Sequence, residues 1–166
     1  WRMNLTALYS GIDHHTFHIG GGYNYSEIYK VKESNNFSGQ LVDISDTASV
    51  FLPEDDRKNQ FIFVQDIWNF ARDWTLTAGI RYDDYNDFGD TWNPRAALVW
   101  SASYDTTIKF LYGQAFRAPS FAEFRNQNNP VALGNDELKP EQMETFELAL
   151  ASRKFSDMRL GLNIFH

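Results

Sequence analysis

The side chains best equipped for chemistry in this chain are basic ones. Arg81, Arg95, Lys109, Arg117 and Arg159 each occupy the polar position of an alternating polar–apolar stretch, and Arg125 and Asn126 follow shortly after Pro119. Guanidinium groups hold carboxylates, phosphates and other anions through paired, charge-assisted hydrogen bonds. The plainer reading is internal pairing, with Asp83 or Glu147 as partners. Covalent chemistry has little to work with. Cysteine is absent, and the four histidines are His14, His15, His18 and His166. There is no His-Glu-x-x-His zinc motif, no Gly-rich phosphate loop and no nucleophile elbow, so an enzyme is not expected and no cofactor is implied. A net charge of −7 argues against nucleic acid as a partner. The acidic tract from Asp83 to Asp90 superficially resembles a calcium loop, but it lacks the terminal bidentate Glu and reads as a solvated loop.

The elements that must position these residues are strands. In Trp74–Asp83, Trp, Leu, Ala, Ile and Tyr alternate with Thr, Thr, Gly, Arg and Asp, the pattern of a strand with one greasy and one wet face. The same holds for Thr106–Arg117, where Ile108, Phe110, Tyr112 and Phe116 oppose Lys109, Gly113 and Arg117. It holds again for Phe146, Leu148 and Leu150, for Leu160, Leu162 and Ile164, and near the start for Phe17, Ile19, Tyr23 and Tyr25. The periodicity predicts about eight strands over residues 2–10, 14–27, 59–70, 74–86, 92–101, 105–117, 141–152 and 157–166. Short turns are expected at 11–13, 71–73, 101–104 and 155–157, and longer loops at 28–58, 87–91 and 118–140.

Tight turns at one end of the strands and long loops at the other are the rhythm of an outer-membrane β-barrel. Trp68, Phe70, Trp74, Trp100 and Tyr104 stand beside the short turns, and Tyr82, Tyr85, Trp92, Tyr112 and Phe116 stand towards the long loops. Two such bands match the aromatic girdles at membrane–water interfaces. The longest apolar run, Ala96–Trp100, is far short of the ~18–20 residues a membrane helix requires. The expected class is therefore all-β, an antiparallel transmembrane barrel. A soluble β-sandwich is the rival, but its second face would carry Ser, Lys and Glu rather than Gly, Thr and isolated charges.

From Phe63 onward the chain resembles the TonB-dependent outer-membrane receptors. The residues that carry the resemblance are Phe63–Trp68, Leu76–Asp83, Asn93-Pro94-Arg95, Tyr112–Glu123, and Leu133–Glu141 followed by Glu147. The tract Ala115–Glu123 and the Leu138-Lys139-Pro140-Glu141 box look like the pair that flanks one extracellular loop in that family.

The resemblance implies a mid-barrel portion of a larger barrel of about 22 strands. Residues 1–166 would all belong to it, with the three longer loops extracellular and the plug domain lying elsewhere. It also implies a Gram-negative outer membrane, contact with lipid and lipopolysaccharide, and active import of a scarce nutrient. That nutrient would be a ferric siderophore or similar metal chelate, with energy supplied by the TonB complex acting on the plug. Arg81, Arg95, Arg117, Arg125 and Asn126 are then the candidate ligand-binding residues, the alternative for each being a part in holding plug or loop. Haem coordination through the flanked loop is not expected, because no His lies between Arg117 and Glu141. A small closed eight-stranded barrel with a structural or adhesive role is the alternative architecture.

Overall fold

The period-two stretches become a meander in which sequence neighbours are sheet neighbours. In the computed structural model, which describes residues 1–155 and 157–166, the elements are β1 (Arg2–Tyr9), β2 (His15–Ile28), β3 (Ser34–Phe37), β4 (Gln40–Asp43), β5 (Asp55–Ala71), β6 (Trp74–Tyr85), β7 (Gly89–Ser103), β8 (Thr106–Arg117), α1 (Phe121–Arg125), β9 (Glu141–Phe155) and β10 (Met158–Phe165). Eight of the strands form one antiparallel sheet in the order β1-β2-β5-β6-β7-β8-β9-β10, and β3 and β4 form a separate hairpin. Of the turn expected at 155–157, Ser156 lies outside the described residues. Strands β1 and β10 end the sheet at opposite edges and are not paired with each other among the described residues, so the small closed barrel is not formed.

Three expectations are corrected. The segment 28–58 is shorter as a loop than its charges suggest: β2 and β5 continue pairing to Ile28↔Asp55, and β3–β4 fills part of the remainder. Charged residues at a strand tip reach water, so Asp55, Asp56 and Lys58 do not end the ladder. The loop expected at 87–91 is a tight turn of residues 86–88, with Gly89 (φ +91°) already in β7. Gly adopts that left-handed backbone without the Cβ clash that other residues meet. The turn expected at 101–104 shrinks to 104–105, because a register irregularity between Trp100 and Ser103 lets β7 run on.

Register sorts the two faces. On the apolar face, Leu76 stands opposite Leu98, Leu98 opposite Phe110, Phe110 opposite Leu148 and Leu148 opposite Ile164, one greasy row across five strands. None of these side chains is buried by the chain: Leu76 and Leu98 are half-buried, and Phe110 is 48% and Ile164 57% exposed. Rings near the short turns make near-continuous contacts, Trp68–Phe70 at 5.3 Å, Phe70–Trp74 at 6.1 Å and Trp74–Trp100 at 5.0 Å. A second band contains Trp1–Tyr23, Tyr82–Trp92 and Tyr112–Phe146. Trp74 and Tyr82 on β6 are eight residues apart. At ~3.3 Å per residue and ~40° of tilt, that is roughly 20 Å along a membrane normal, close to the ~25 Å apolar band of such barrels.

The polar face has departures from simple alternation. Phe61 and Phe63 lie on it, opposite Asp83 and Arg81. They fit because their neighbours are glycines: a Cβ on Gly20 would come within 2.6 Å of the Phe63 ring and one on Gly22 within 2.7 Å of the Phe61 ring. Tyr85 also belongs to this face, opposite Asn59, and stacks on Phe88 at 4.3 Å, so it is not part of the outer aromatic band. Pro94 marks where β7 and β8 part. Their ladder runs no further towards the long loops than Arg95↔Gly113, beside a residue with no N–H to donate.

Candidate ligand-binding surface

At the long-loop end, the polar face is covered by the segment that follows β8. Pro119 ends the strand, and Ser120 caps α1 through a capping box: the Glu123 amide donates to Ser120 Oγ (3.2 Å) and the Ser120 amide to Glu123 Oε2 (2.8 Å). Phe124 of this short helix is 4% exposed, and Ile44 and Val50 of the other long loop are buried as well. The two long loops are stitched together as well. The Gln127 amide donates to the Phe51 carbonyl (2.7 Å), and Asn128 Nδ2 donates to the carbonyls of Ala48 (2.7 Å) and Val50 (3.2 Å).

Beneath this cap lies a buried polar layer. Arg81 donates to both oxygens of Asp83, at 2.7 and 2.6 Å, and its guanidinium lies 3.8 Å from the Phe61 ring centre. Asp83 is 1% exposed and also accepts from Asn59 (3.2 Å), with Thr91 buried in the same layer. Arg57 ties the layer to the cap. It pairs with Asp87, donates to the Pro119 carbonyl (2.7 Å), and lies between the rings of Phe88 (5.1 Å) and Phe121 (4.9 Å).

The candidate residues separate clearly in this setting. Arg117 donates in forks to two carboxylates, Glu141 (2.9 and 2.7 Å) and Glu123 (2.9 and 3.0 Å), closing the neck of the 118–140 loop. The Arg117 guanidinium and the Ser120 amide and hydroxyl hold the Glu123 carboxyl down to about 2. Arg125 pairs with Asp55 (2.6 Å). Asn126 donates through Nδ2 to the Ala132 carbonyl (2.7 Å), shaping the loop from within. Arg81 is committed to Asp83. Arg95 alone of the five candidates has no hydrogen-bond or ion-pair partner among the described residues. It lines a cavity of about 450 Å³ with His18, Phe63, Arg81, Asn93 and Ala115, so the structure brings Arg81 and Arg95 together and leaves Arg117, Arg125 and Asn126 in the loop stem.

The carboxylates that might have made a cation site do not converge. Asp83 and Asp87 are each paired with an arginine, while Asp84 and Asp90 stand opposite one another on the other face. Arg57, Asn59 and Glu123 escaped the sequence reading, Arg57 because its segment was read as loop. Carrying the alternation back from Phe61 through Asn59 to Arg57 would have found it, and Ser120-x-x-Glu123 is a legible capping box.

Comparison with known proteins now fixes the class. The family described as "TonB dependent receptor-like, beta-barrel" matches residues 1–166, and the chain belongs to it. It is part of an outer-membrane barrel whose apolar face turns to lipid and whose arginine-bearing face turns to the lumen. The iron-regulated outer membrane virulence protein of Vibrio cholerae serotype O1 is 32% identical over 109 residues, 63% of this chain and 17% of that protein. The vitamin B12 transporter BtuB of Photobacterium profundum is 25% identical over 134 residues, 77% of this chain and 21% of that protein. The chain thus spans about a fifth of the length of these relatives. Among solved structures, the siderophore receptor PirA of Pseudomonas aeruginosa superposes with a TM-score of 0.73 at 23% identity, covering 99% of this chain and 29% of that one. A mutant of the ferric enterobactin receptor PfeA from Pseudomonas aeruginosa, in complex with enterobactin, gives 0.71 at 16% identity, covering 99% and 26%. By name, BtuB is a transporter and PirA and PfeA are receptors.

Proposed function

We propose that the protein carrying this chain imports a metal chelate, a ferric siderophore or a similar complex, across the outer membrane with energy from the TonB complex. The observation that carries this reading is the family match over residues 1–166, joined to relatives and structural neighbours whose names specify iron regulation, vitamin B12 and siderophores. In this reading the 29–54 and 118–140 loops and the 86–88 turn face the outside of the cell. A plug supplied by the rest of the protein sits against the arginine-bearing face and receives the pull of the TonB complex.

Of the five candidate residues, Arg95 is the one free to meet an anionic chelate. It stands in a lumen cavity beside a second guanidinium that is already neutralised, so its charge is available to whatever enters. Arg117, Arg125 and Asn126 serve instead to hold the loops that frame the entrance. The test uses the full-length protein in a strain lacking its own chelate receptors, grown on a panel of ferric siderophores, haemin and cobalamin as sole sources. Growth on at least one chelate, abolished with the energy-coupling system removed, is expected; failure on the whole panel overturns the reading. For a chelate that supports growth, Arg95→Glu should weaken binding about tenfold or more, the loss of roughly 1.4 kcal/mol or more, while Arg95→Lys keeps most of it. Equal binding by wild type and Arg95→Glu removes Arg95 from the site and leaves the transport reading standing.

A further inference from the structure

The lipid-facing side of the sheet carries one feature that transport does not use. The register sets His15 opposite Trp68 and Asp66 opposite Phe17 and Ala78, so both ionisable side chains stand on the apolar face, close to the aromatic band at the short-turn end. His15 Nδ1 lies 2.6 Å from Asp66 Oδ2, and each side chain is 25% exposed. The imidazole is held in a three-ring stack, 5.6 Å from Phe17 at 5° and 5.4 Å from Trp68 at 10°. The other carboxylate oxygen, Asp66 Oδ1, is buried without a partner.

Charged groups on a lipid-facing surface are unfavourable, and apolar side chains would fill these two positions at lower cost. With Nδ1 committed to Asp66 and the ring clamped between two aromatics, the imidazole has one polar atom left. Its Nε2 has no hydrogen-bond partner among the described residues, and the ring stacks on Trp68 of the short-turn aromatic band, a band of the kind that marks the headgroup boundary. Trp68 also lines a hollow of about 520 Å³ with His14, Phe70 and Arg72, whose basic side chains make no ion pair or side-chain hydrogen bond among the described residues. A stacked imidazole that gives Nδ1–H to Asp66 and, when doubly protonated, presents Nε2–H, an unpaired guanidinium in the next short turn and a Trp–Phe wall together match a phosphate joined to an acyl chain.

We infer that the short-turn rim around His15, Trp68 and Arg72 is a binding site for the phosphate headgroup of a membrane phospholipid, with Asp66 orienting the imidazole. This rests on the apolar face meeting lipid and is independent of which chelate is imported. The test is native mass spectrometry of the full-length protein released from detergent after exposure to phosphatidylethanolamine, or to diacylglycerol with the same chains. The wild type should retain phosphatidylethanolamine and not diacylglycerol, and inorganic phosphate at millimolar level should not displace it. The His15→Phe/Asp66→Leu variant, which keeps an aromatic ring in the stack and removes both ionisable side chains, should retain about tenfold less, as should Arg72→Gln. Equal retention of diacylglycerol, displacement by inorganic phosphate, or unchanged retention in the variants overturns the site. Heat-modifiable gel mobility reports whether the double variant has folded. If it has not, Arg72→Gln in its exposed turn decides alone.

Discussion

The sheet and the loop cap of this chain solve opposite solvent problems with the same residue types. Among the described residues, the large apolar side chains of the sheet are exposed or half-buried, while the three buried hydrophobic ones, Ile44, Val50 and Phe124, all lie in the loops. On the sheet, most backbone groups of the inner strands are paired with a neighbouring strand on each side, the parting of β7 and β8 beyond Arg95↔Gly113 being the main exception, and lipid accepts the greasy rows without any internal core. The cap stands in water. It has to bury what it can and to hold its turns with arginines, and Arg57, Arg117 and Arg125 do that between the strands and the loops. Polar interactions organise the cap because the apolar area there is small; the sheet needs few of them beyond its ladder.

Removing the tie between the two regions should have the largest effect. Arg57→Ala leaves Asp87, only 2% exposed, without its cation. Breaking a buried pair from one side costs about 3–5 kcal/mol. Hydrogen exchange and limited proteolysis should show residues 118–140 opening while the strands stay protected; unchanged protection of that loop would mean the cap stands without Arg57.

The lipid side is probed by neighbouring alanines on β7. Ala96, on the apolar face opposite Ala78, lies midway between the aromatic bands, and Ala97 is on the polar face. Ala96→Arg should destabilise the folded protein by about 2–4 kcal/mol in denaturant titrations in lipid vesicles, and Ala97→Arg by roughly 1 kcal/mol or less. The reverse order would exchange the two faces.

A smaller effect is expected at the helix cap. Ser120→Ala removes the acceptor for the Glu123 amide and should cost the loop about 1 kcal/mol, read as faster amide exchange over 121–126 with no change in the sheet. The smallest is a pH effect. Glu123 ionises near 2 in the folded protein against an ordinary 4.5, so its contribution to the loop neck is complete above 4.5 and is lost as pH falls through about 2. Carboxyl chemical shifts should show the Arg117–Glu123 contact intact at pH 4 and released near pH 2. Release near 4.5 would show that the fork does not hold in solution.

Much of the sheet was legible before the structure because a strand exposes its two faces to two solvents, and the alternation records that directly. Leu76, Phe110, Leu148 and Ile164 were assignable to the greasy side of their strands from spacing alone, whereas Leu98 joins them only through the register. The exceptions were not. Phe61 and Phe63 sit on the polar face because Gly20 and Gly22, some forty residues earlier in the chain, leave room for their rings, and a cross-strand vacancy has no local signature. The candidate site was legible only as four arginines and an asparagine. Five residues were singled out, and the structure shows four of them already engaged.

Residue order by itself determined the strand class, the lipid-facing rows, the aromatic band beside the short turns and the stopping points at Pro119 and Pro140, because each depends on a side chain and its near neighbours. Tertiary structure decided which charges are spent and which are free. Arg95 and Arg81 are equivalent by pattern, yet only Arg81 has a carboxylate within reach, and Arg57 meets Asp87 and Pro119 only when three separate connections fold onto one rim. Ion pairing falls off steeply with distance and depends on local burial, so partners far apart in sequence are fixed by where the sheet brings them.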